Sequence, residues 1–478
     1  MSKRILFFIL SFSMLFLPGC DNTRYTSEKT NENMINIKFS FWEPGIYREL
    51  ENALQKIADQ YEKEHPNVHI ELISKPVESY FDWIKSCYIA DDMPDIESSH
   101  SSALATQYKK GIIVDLTNVF NAESAYAPGK PWKDTFVKSK FHAANVDYKS
   151  SNCNIPLIGT ELGIFYNKSI YDELGLSIPE TWSQFMNNCE IIKKAGITPI
   201  VIPGQKAAAT SWLEWEIGQA LGIKRFLEDK NININNDNFL SAYEKHRAVL
   251  LGYMDASKDK SIQKLYKTVI EHYKDYFSYC EGASDLEESI AKAIFISGDA
   301  AHINTGAWDA KSFLENSEVN FEVGTFKFPE FTSEDTDYPG VRIISGTTQS
   351  LGVTTSVYKQ EGKLEAVIDF LQYFTSKDVY QQFIDDTMEI PVVEGISLPA
   401  GLESFVYDGY PISAEYLSGI SAEDMVAGID YDLSDSFFKK VQAEAVELAE
   451  EYMSDNGLSR EDNYYYEQTA GKNDLGEK

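Results

Sequence analysis

The stretch "INIKFSFWEPGIYRELENALQKIADQYEKEHPNVHIEL", residues 35–72, decides the fold class. Its first part alternates apolar with polar side chains, which predicts a strand: Ile35, Ile37, Phe39 and Phe41. Its middle part carries apolar residues at helical spacing, and Pro66 helps to end that helix: Ile46, Leu50, Leu54, Ile57 and Tyr61. A second alternation follows at Val68, Ile70 and Leu72. Strand, helix and strand in this order form the βαβ unit of a parallel sheet.

The same alternation of short strands and amphipathic helices continues along the chain. It predicts strands near 95–96, 162–167, 198–204, 300–303, 321–328 and 350–355, one long helix over 363–383 and a last helix at about 434–453. A chain of 478 residues is longer than one hydrophobic core usually organises. We therefore predict an α/β protein with two lobes, each an open, mostly parallel sheet flanked by helices.

The N-terminus has the pattern of an export signal. Lys3 and Arg4 precede an apolar run at residues 5–17, which is too short for the ~20 residues of a membrane-spanning helix. The run ends in "FLPGC", which resembles the lipobox of bacterial lipoproteins, with Cys20 as the lipidated residue. We expect a signal peptide at 1–19 and a polar tether at 20–34. The alternative is an ordinary signal peptide with an incidental cysteine.

Charge and motif content exclude several classes of function. The formal net charge of −31 disfavours nucleic acid and anionic membrane surfaces as partners. The sequence has no P-loop, GxGxxG, HExxH or EF-hand pattern, so we expect no cofactor and no metal site. Besides Cys20, four cysteines allow three pairings that the sequence cannot distinguish, and we expect buried free thiols: Cys87, Cys153, Cys189 and Cys280.

Aromatic and polar residues gather where the predicted strands end. Open α/β sheets bind ligands beyond the carboxyl ends of their strands. The candidate binding residues at these ends and at the two predicted crossings between lobes are Trp42, Glu43, Glu97, Ser99, Thr160, Glu161, Trp212, Trp215, Asn304, Trp308, Gly346 and Thr347.

This set of side chains suits a neutral polyol. A sugar ring packs its C–H face on an indole, and its hydroxyl groups need hydrogen-bonding partners in fixed directions. Each residue also has a structural alternative: the tryptophans could be core residues, and the glutamates could be solvated or could lie at helix N-termini. Packing is the expected role for Trp83, Trp132 and Trp182.

Several segments in chain order resemble family 1 extracellular solute-binding proteins, the carbohydrate receptors of ABC importers. They span about residues 36–392, and the most specific are "FYNKSIYDELGLSIPETW" at 165–182 and "FISGDAAHINTGAW" at 295–308. The resemblance implies a maltose-binding-protein-like clamp with several crossings, with lobe one at 36–155 plus 329–385 and lobe two at 156–328 plus 386–453. Residues 454–478 are expected to be a polar tail.

The resemblance also implies a function. The protein is expected to be a lipid-anchored, monomeric, non-enzymatic receptor at the extracellular face of the cell membrane, which delivers a sugar to ABC permease subunits. Trp308 matches the family's pocket tryptophan, and Thr160 or Glu161 matches its polar contact after the crossing. "ESSHSS" at 97–102 has no aromatic residue, which argues against a maltodextrin ligand. The alternatives are a surface-anchored glycoside hydrolase and a receptor of the same fold for a peptide, polyamine or metal.

Overall fold

Two large β-sheets, each covered by helices, organise the described part of the chain in a computed structural model, and two further sheets have two strands each. The structure describes residues 34–43, 49–145, 151–202, 213–236, 240–280, 286–344, 347–406, 410–411, 433–455 and 457–460. The predicted signal peptide, Cys20 and most of the predicted tether lie outside these residues. No helix in the described part of the chain is both long and apolar enough to cross a membrane.

The strands are short, and most of them fall where alternation predicts them. Their bounds are β1 Ile35–Glu43, β2 Val68–Pro76, β3 Ile96–Ser99, β4 Glu123–Ser124, β5 Ala127–Pro131, β6 Asn154–Gly159, β7 Leu162–Asn167, β8 Thr198–Val201, β9 Ala300–Gly306, β10 Val323–Phe326, β11 Ile343–Ile344, β12 Thr347–Val353 and β13 Tyr410–Pro411.

The helices occupy the segments between strands and the C-terminal part of the chain. Their bounds are α1 Glu49–Glu64, α2 Val77–Ile89, α3 Ser101–Lys109, α4 Thr117–Asn121, α5 Lys138–Asn145, α6 Lys168–Leu174, α7 Trp182–Lys194, α8 Ala220–Glu228, α9 Ala242–Leu250, α10 Lys260–Phe277, α11 Glu288–Ile296, α12 Ala310–Leu314, α13 Lys363–Phe374, α14 Lys377–Thr387 and α15 Asp435–Asp455. A π-helical turn at Glu214–Gln219 leads into α8.

The first sheet has five strands in the order β2-β1-β3-β12-β6. Strand β1 pairs in parallel with β2 and β3, as the βαβ pattern predicts. Helix α1 covers this sheet with the apolar face that its spacing indicates, through the buried residues Leu50, Leu54, Ile57 and Tyr61. Strand β12 comes from far along the chain and lies antiparallel between β3 and β6.

The second sheet has four strands in the order β10-β7-β9-β8. Only β8 and β9 pair in parallel, whereas β7 is antiparallel to both of its neighbours. The α/β class is confirmed, and both sheets are mostly parallel in strand direction, as predicted, because β12 is the one reversed strand of the first sheet and β7 is the one reversed strand of the second. Strands β7 and β12 enter their sheets from elsewhere in the fold rather than through a βαβ unit, so no crossover helix forces them to run parallel.

Each sheet has its own apolar core. One core joins the five-stranded sheet to α1, α13 and α14, and includes Phe39, Trp132 and Phe370. The other joins the four-stranded sheet to α7, α10 and α15, and includes Trp182 and Phe326. Trp132 and Trp182 are thus packing residues, as predicted.

The chain passes from the first sheet to the second at residues 160 and 161, between β6 and β7. The predicted lobe boundaries remain a proposal, and the cores indicate where they would move. Ile155 and Leu157 pack with the five-stranded sheet, although the prediction ends lobe one at residue 155. Phe331 packs with the four-stranded sheet, although the prediction assigns residues 329–385 to lobe one.

The segment predicted as one helix at 363–383 is two helices, α13 and α14. They are separated at Thr375 and Ser376, where the Thr375 hydroxyl donates to the carbonyl oxygen of Leu371 at 2.7 Å. This hydroxyl also accepts the indole N–H of Trp132 at 2.9 Å. Hydroxyl side chains that bond to the backbone in this way favour breaks in helices.

The four cysteines in the described part of the chain are free thiols. Cys153 and Cys189 are buried, whereas Cys87 and Cys280 are half-buried, so burial was predicted correctly for two of them. Burial raises the pKa of the Cys87 thiol above its ordinary value.

Candidate functional site

The crossing between the two sheets is fixed by backbone hydrogen bonds. The N–H of Gly159, the last residue of β6, donates to the carbonyl oxygen of Ile390 at 2.8 Å. Two residues later, the carbonyl oxygen of Glu161 accepts the N–H of Ala307 at 3.0 Å. The crossing therefore lies directly beside the turn that follows β9.

The two predicted contact residues at this crossing have different surroundings. Glu161 forms a buried ion pair with Lys140 of α5. Thr160 is buried too, and its Oγ1 has no hydrogen-bond partner among the described residues. A buried hydroxyl without a partner is costly and calls for a specific explanation, such as a role in ligand binding.

Trp308 lies at the carboxyl end of β9, in a short 3-10 turn at Ala307–Asp309. Its indole is half-buried and covers the backbone of Gly306, where a Cβ atom would come within 2.0 Å of the ring. Gly306 pairs with Leu162, the first residue of β7 after the crossing. The turn that carries Trp308 therefore lies beside the backbone of Glu161, directly before β7.

A second buried ion pair holds this turn in place. Asp309 pairs with Lys292 of α11, and both side chains are at least 97% buried, with exposed fractions of 1% and 3%. The Thr305 hydroxyl donates to Oδ2 of the same carboxylate at 2.8 Å. The proximity of Asp309 and Glu288 raises the pKa of Lys292 despite its burial, so its ammonium group stays charged.

Asn304 belongs to a buried polar group that joins β9 to the π-helical turn and to α10. Its Nδ2 donates to Oε2 of Glu216 at 2.7 Å and to the hydroxyl of Tyr276 at 2.9 Å. Glu216 lies on the π-helical turn, and burial raises its pKa to about 8. Its Oε1 has no partner in the described ranges.

The predicted residues of the five-stranded sheet are more deeply packed than expected. The Trp42 indole contacts the rings of Tyr80, Phe81 and His100 at centroid distances of 5.4, 5.3 and 5.2 Å, and only 3% of the residue is exposed. In this conformation Trp42 is a packing residue, because its indole is buried among these rings. Trp83 joins the same cluster, in agreement with its predicted packing role.

Glu97 and Ser99 lie on β3, the strand next to β1. Oε1 of Glu97 accepts a hydrogen bond from Nε2 of Gln107 at 2.7 Å, and burial raises the pKa of Glu97 to about 7. Glu97 Oε2 and Ser99 Oγ are buried without partners in the part of the chain that the structure describes. Both residues therefore keep unused hydrogen-bonding capacity.

Several predicted contacts lie outside the part of the chain that the structure describes. Trp212 and Gly346 lie outside the described residues, as do the side chains of Glu43, Trp215 and Thr347. The neighbouring Gln349 of β12 is described, and its Nε2 donates to the carbonyl oxygen of Trp42 at 3.2 Å. This bond ties the end of β1 to β12.

Sequence reasoning missed Glu216, Tyr276 and Lys140. A signal for Glu216 exists, because it lies in helical register with Leu213, Ile217 and Ala220, all of which are buried. A carboxylate on an apolar helical face indicates a buried functional group or a buried ion pair. Lys140 has no comparable local signal, since its partner Glu161 is on another element.

The described side chains offer little to a metal ion. No group of three or more histidine, cysteine, aspartate or glutamate residues is arranged to hold one within the described ranges. The polar groups beside the crossing are instead hydroxyl, amide and carboxyl groups that are neutral or already paired. They are suited to hydrogen bonding with an uncharged molecule.

Solved structures share this architecture. The solute-binding protein RafE in complex with raffinose superposes with a TM-score of 0.61 at 18% identity, covering 87% of this chain and 100% of RafE. The GacH receptor of Streptomyces glaucescens, solved unliganded and with acarbose, gives a TM-score of 0.62 at 15% identity, covering 89% of this chain and 100% of GacH. At such identities the similarity establishes the fold, a two-lobed clamp.

Sequence comparison reaches the same group of proteins. The multiple sugar-binding protein of Streptococcus mutans is 24% identical over 399 residues, which cover 81% of this chain and 82% of that protein. The family profile of bacterial extracellular solute-binding proteins matches residues 47–381, more than half of the chain. This protein therefore belongs to the bacterial extracellular solute-binding protein family.

Proposed function

We propose that this protein captures a sugar or short oligosaccharide between the two halves of its fold and delivers it unaltered to the permease of an ABC importer. The observation that carries the proposal is the position of Trp308. A half-buried indole stands at the end of β9, beside a sheet-to-sheet crossing whose Thr160 hydroxyl has no partner among the described residues. An apolar ring next to unused hydrogen-bonding groups suits the two chemistries of a sugar surface.

The names of similar proteins support the same class of ligand. RafE was solved with raffinose, and a Bacillus subtilis relative is named a melibiose, raffinose and stachyose-binding protein. The Bacillus subtilis relative matches 42% of this chain at 23% identity. We therefore place α-galactosyl oligosaccharides first among the sugars to be tested.

Capture would work by closure of the two halves. A sugar held by one sheet gains contacts with the other sheet only in the closed state, so binding shifts the population toward closure by its differential affinity. Closure would then create the surface that the permease recognises. Lipidation at Cys20 would keep the receptor at the outer face of the cell membrane and raise its effective concentration near the transporter.

Thermal denaturation and calorimetry over a ligand panel test the proposal. The panel contains raffinose, stachyose, maltotriose, a chitin oligosaccharide, putrescine and a dipeptide. A true ligand at 100 times its Kd adds about 2.7 kcal/mol to the stability of the native state, which raises the melting temperature. We expect this shift with at least one sugar and with neither putrescine nor the dipeptide.

Recovery of the ligand separates a receptor from a glycoside hydrolase. We expect chromatography after prolonged incubation to return the sugar intact. Release of monosaccharides would favour the hydrolase, and a shift with putrescine or the dipeptide alone would favour a receptor for another solute. Labelling with a fatty acid in a bacterial host tests the anchor, and Cys20→Ser should abolish the label.

A further inference from the structure

Glu216 is a buried carboxyl group without a cationic partner. Its exposed fraction is 7%, and within the described ranges it forms no ion pair with lysine, arginine or histidine. Charged side chains on or beside the elements that pack against its turn include Arg225, which pairs with Asp259, His272, which lies near Asp335, and Arg342, which pairs with Glu330. Burying an unpaired carboxylate is expensive, so this group is protonated in the folded protein near neutral pH.

The two carboxyl oxygens of Glu216 have different hydrogen-bonding surroundings. Oε2 accepts a hydrogen bond from Nδ2 of Asn304 at 2.7 Å, and the same amide donates to Tyr276 at 2.9 Å. Tyr276 is the titratable group that faces Glu216, and its burial raises its own pKa well above the ordinary value. With Oε2 engaged as an acceptor, the proton resides on Oε1.

Oε1 is therefore a buried donor, and it has no acceptor among the residues that the structure describes. Leaving such a group unpaired costs about 1–3 kcal/mol, which a protein retains where the group has a function. The backbone points to the same conclusion, because Glu216 lies in a π-helical turn, a local distortion common at functional sites. Asn304, its partner, lies near the carboxyl end of β9, two residues before Gly306.

We propose that Glu216 is a ligand-contact residue that acts in its protonated form, donating a hydrogen bond from Oε1 to an oxygen atom of an uncharged sugar. Asn304 acts as the positioning residue that holds the carboxyl group in this orientation. The proposal rests on the proposed sugar-binding function and adds one contact together with its protonation state. It predicts that affinity for the sugar falls as the carboxyl group ionises, because the donor is then lost and a buried charge appears.

Calorimetry with raffinose and stachyose at two pH values tests the proposal on the full chain. With a pKa of about 8, about one tenth of Glu216 remains protonated at about pH 9, so the affinity of the wild-type protein should be about tenfold lower than at about pH 6. Glu216→Gln preserves a neutral donor and should bind within about threefold of the wild-type value at both pH values. Glu216→Ala should bind at least about tenfold more weakly at the lower pH.

The matched control is Glu228→Gln, which neutralises an exposed glutamate at the end of α8. It should keep the affinity and the pH profile of the wild-type protein. Circular dichroism checks folding of each variant at each pH, and the Glu216→Gln profile remains decisive if Glu216→Ala does not fold.

The outcomes separate this proposal from the proposed function. If the wild-type protein binds raffinose or stachyose and Glu216→Ala binds equally well, Glu216 is not a contact. The affinity of the wild-type protein could instead stay the same at both pH values while Glu216→Gln binds as weakly as Glu216→Ala. In that case the ionised Glu216 carboxylate makes the contact, and the proposed protonated form is wrong. Binding of no panel sugar by the wild-type protein would overturn the proposed function and this contact with it.

Discussion

The Trp308 indole lies across the backbone of Gly306, so closely that a Cβ atom on Gly306 would come within 2.0 Å of ring atom Cζ3. Glycine at position 306 is therefore what allows the indole to turn back over β9. The same turn is held by the Asp309–Lys292 ion pair and by the Thr305 hydroxyl. These contacts fix the backbone turn that carries Trp308, which lowers the entropic cost of using the indole in binding.

Replacing Trp308 by alanine should weaken sugar binding by more than about tenfold, because a stacking face at the end of β9 is lost. Trp83→Ala is a matched control, because the Trp83 indole on α2 is also half-buried. The Lys75 ammonium group lies over this indole at 5.4 Å from the ring centroid. Calorimetry should show nearly unchanged affinity for this control. Equal affinity of Trp308→Ala and the wild-type protein would remove Trp308 from the binding site.

Local sequence patterns correctly predicted the strands and helices whose buried residues recur at the regular spacing of that element. The alternation of Ile37, Phe39 and Phe41 and the helical spacing of Leu50, Leu54 and Ile57 correspond to one buried face each. Such periodicity is visible in a short window of sequence because it reflects the geometry of a single element. The order β1-α1-β2 therefore followed from the sequence, as did the position of Trp308 after β9.

Local sequence patterns could not predict contacts between residues that are far apart along the chain. Ser98 donates to Oε1 of Gln349 at 3.4 Å across a separation of 251 residues, in the pairing that makes the first sheet mixed. Trp42 was predicted as a ligand contact from its position at a strand end, but rings of α2 and His100 cover it. Such outcomes depend on which surfaces meet in three dimensions, and no short window of sequence contains that information.

Breaking the ion pair between Lys140 and Glu161 should destabilise the protein strongly. Both side chains are buried, so Lys140→Met leaves an uncompensated carboxyl group at the crossing and should cost about 3–5 kcal/mol of unfolding free energy. The double variant Lys140→Met with Glu161→Gln should recover most of this loss, since no charge remains buried. Urea denaturation measures both values. A single variant as stable as the wild-type protein would show that the pair contributes little.

His302 should make the protein sensitive to mild acid. Its Nδ1–H donates to the carbonyl oxygen of Pro199 and its Nε2 accepts from the hydroxyl of Tyr171, both at 2.7 Å. Burial lowers the pKa of His302 to about 4, below the ordinary value of 6.5. The unfolded state therefore binds the proton first, and the stability due to neutral His302 is full above about pH 6.5 and is lost as the pH falls toward about 4.

The loss should be on the order of 3 kcal/mol. It is measured by subtracting the unfolding free energy of His302→Gln from that of the wild-type protein, and this difference should shrink by the same amount between about pH 6.5 and about pH 4. His302→Gln should be less stable than the wild-type protein at neutral pH and should approach it in acid. The control is His69→Gln, which replaces a histidine whose side chain is 57% exposed, and which should change the stability less than His302→Gln does. Parallel curves for His302→Gln and the wild-type protein would contradict the prediction.

Glu97 should show the opposite pH dependence. Burial raises its pKa to about 7 from the ordinary value of 4.5, so the folded state holds the proton more tightly than the unfolded state. Stability should therefore fall as the pH rises from about 4.5 to about 7, by on the order of 3 kcal/mol in total.

Glu97→Gln removes the buried charge and should be more stable than the wild-type protein at about pH 8 but not at about pH 4. Urea denaturation at the two pH values measures this difference, with Glu365→Gln, an exposed glutamate on α13, as the control. A Glu97→Gln variant less stable than the wild-type protein at the higher pH would mean that the ionised carboxylate has a partner that stabilises it.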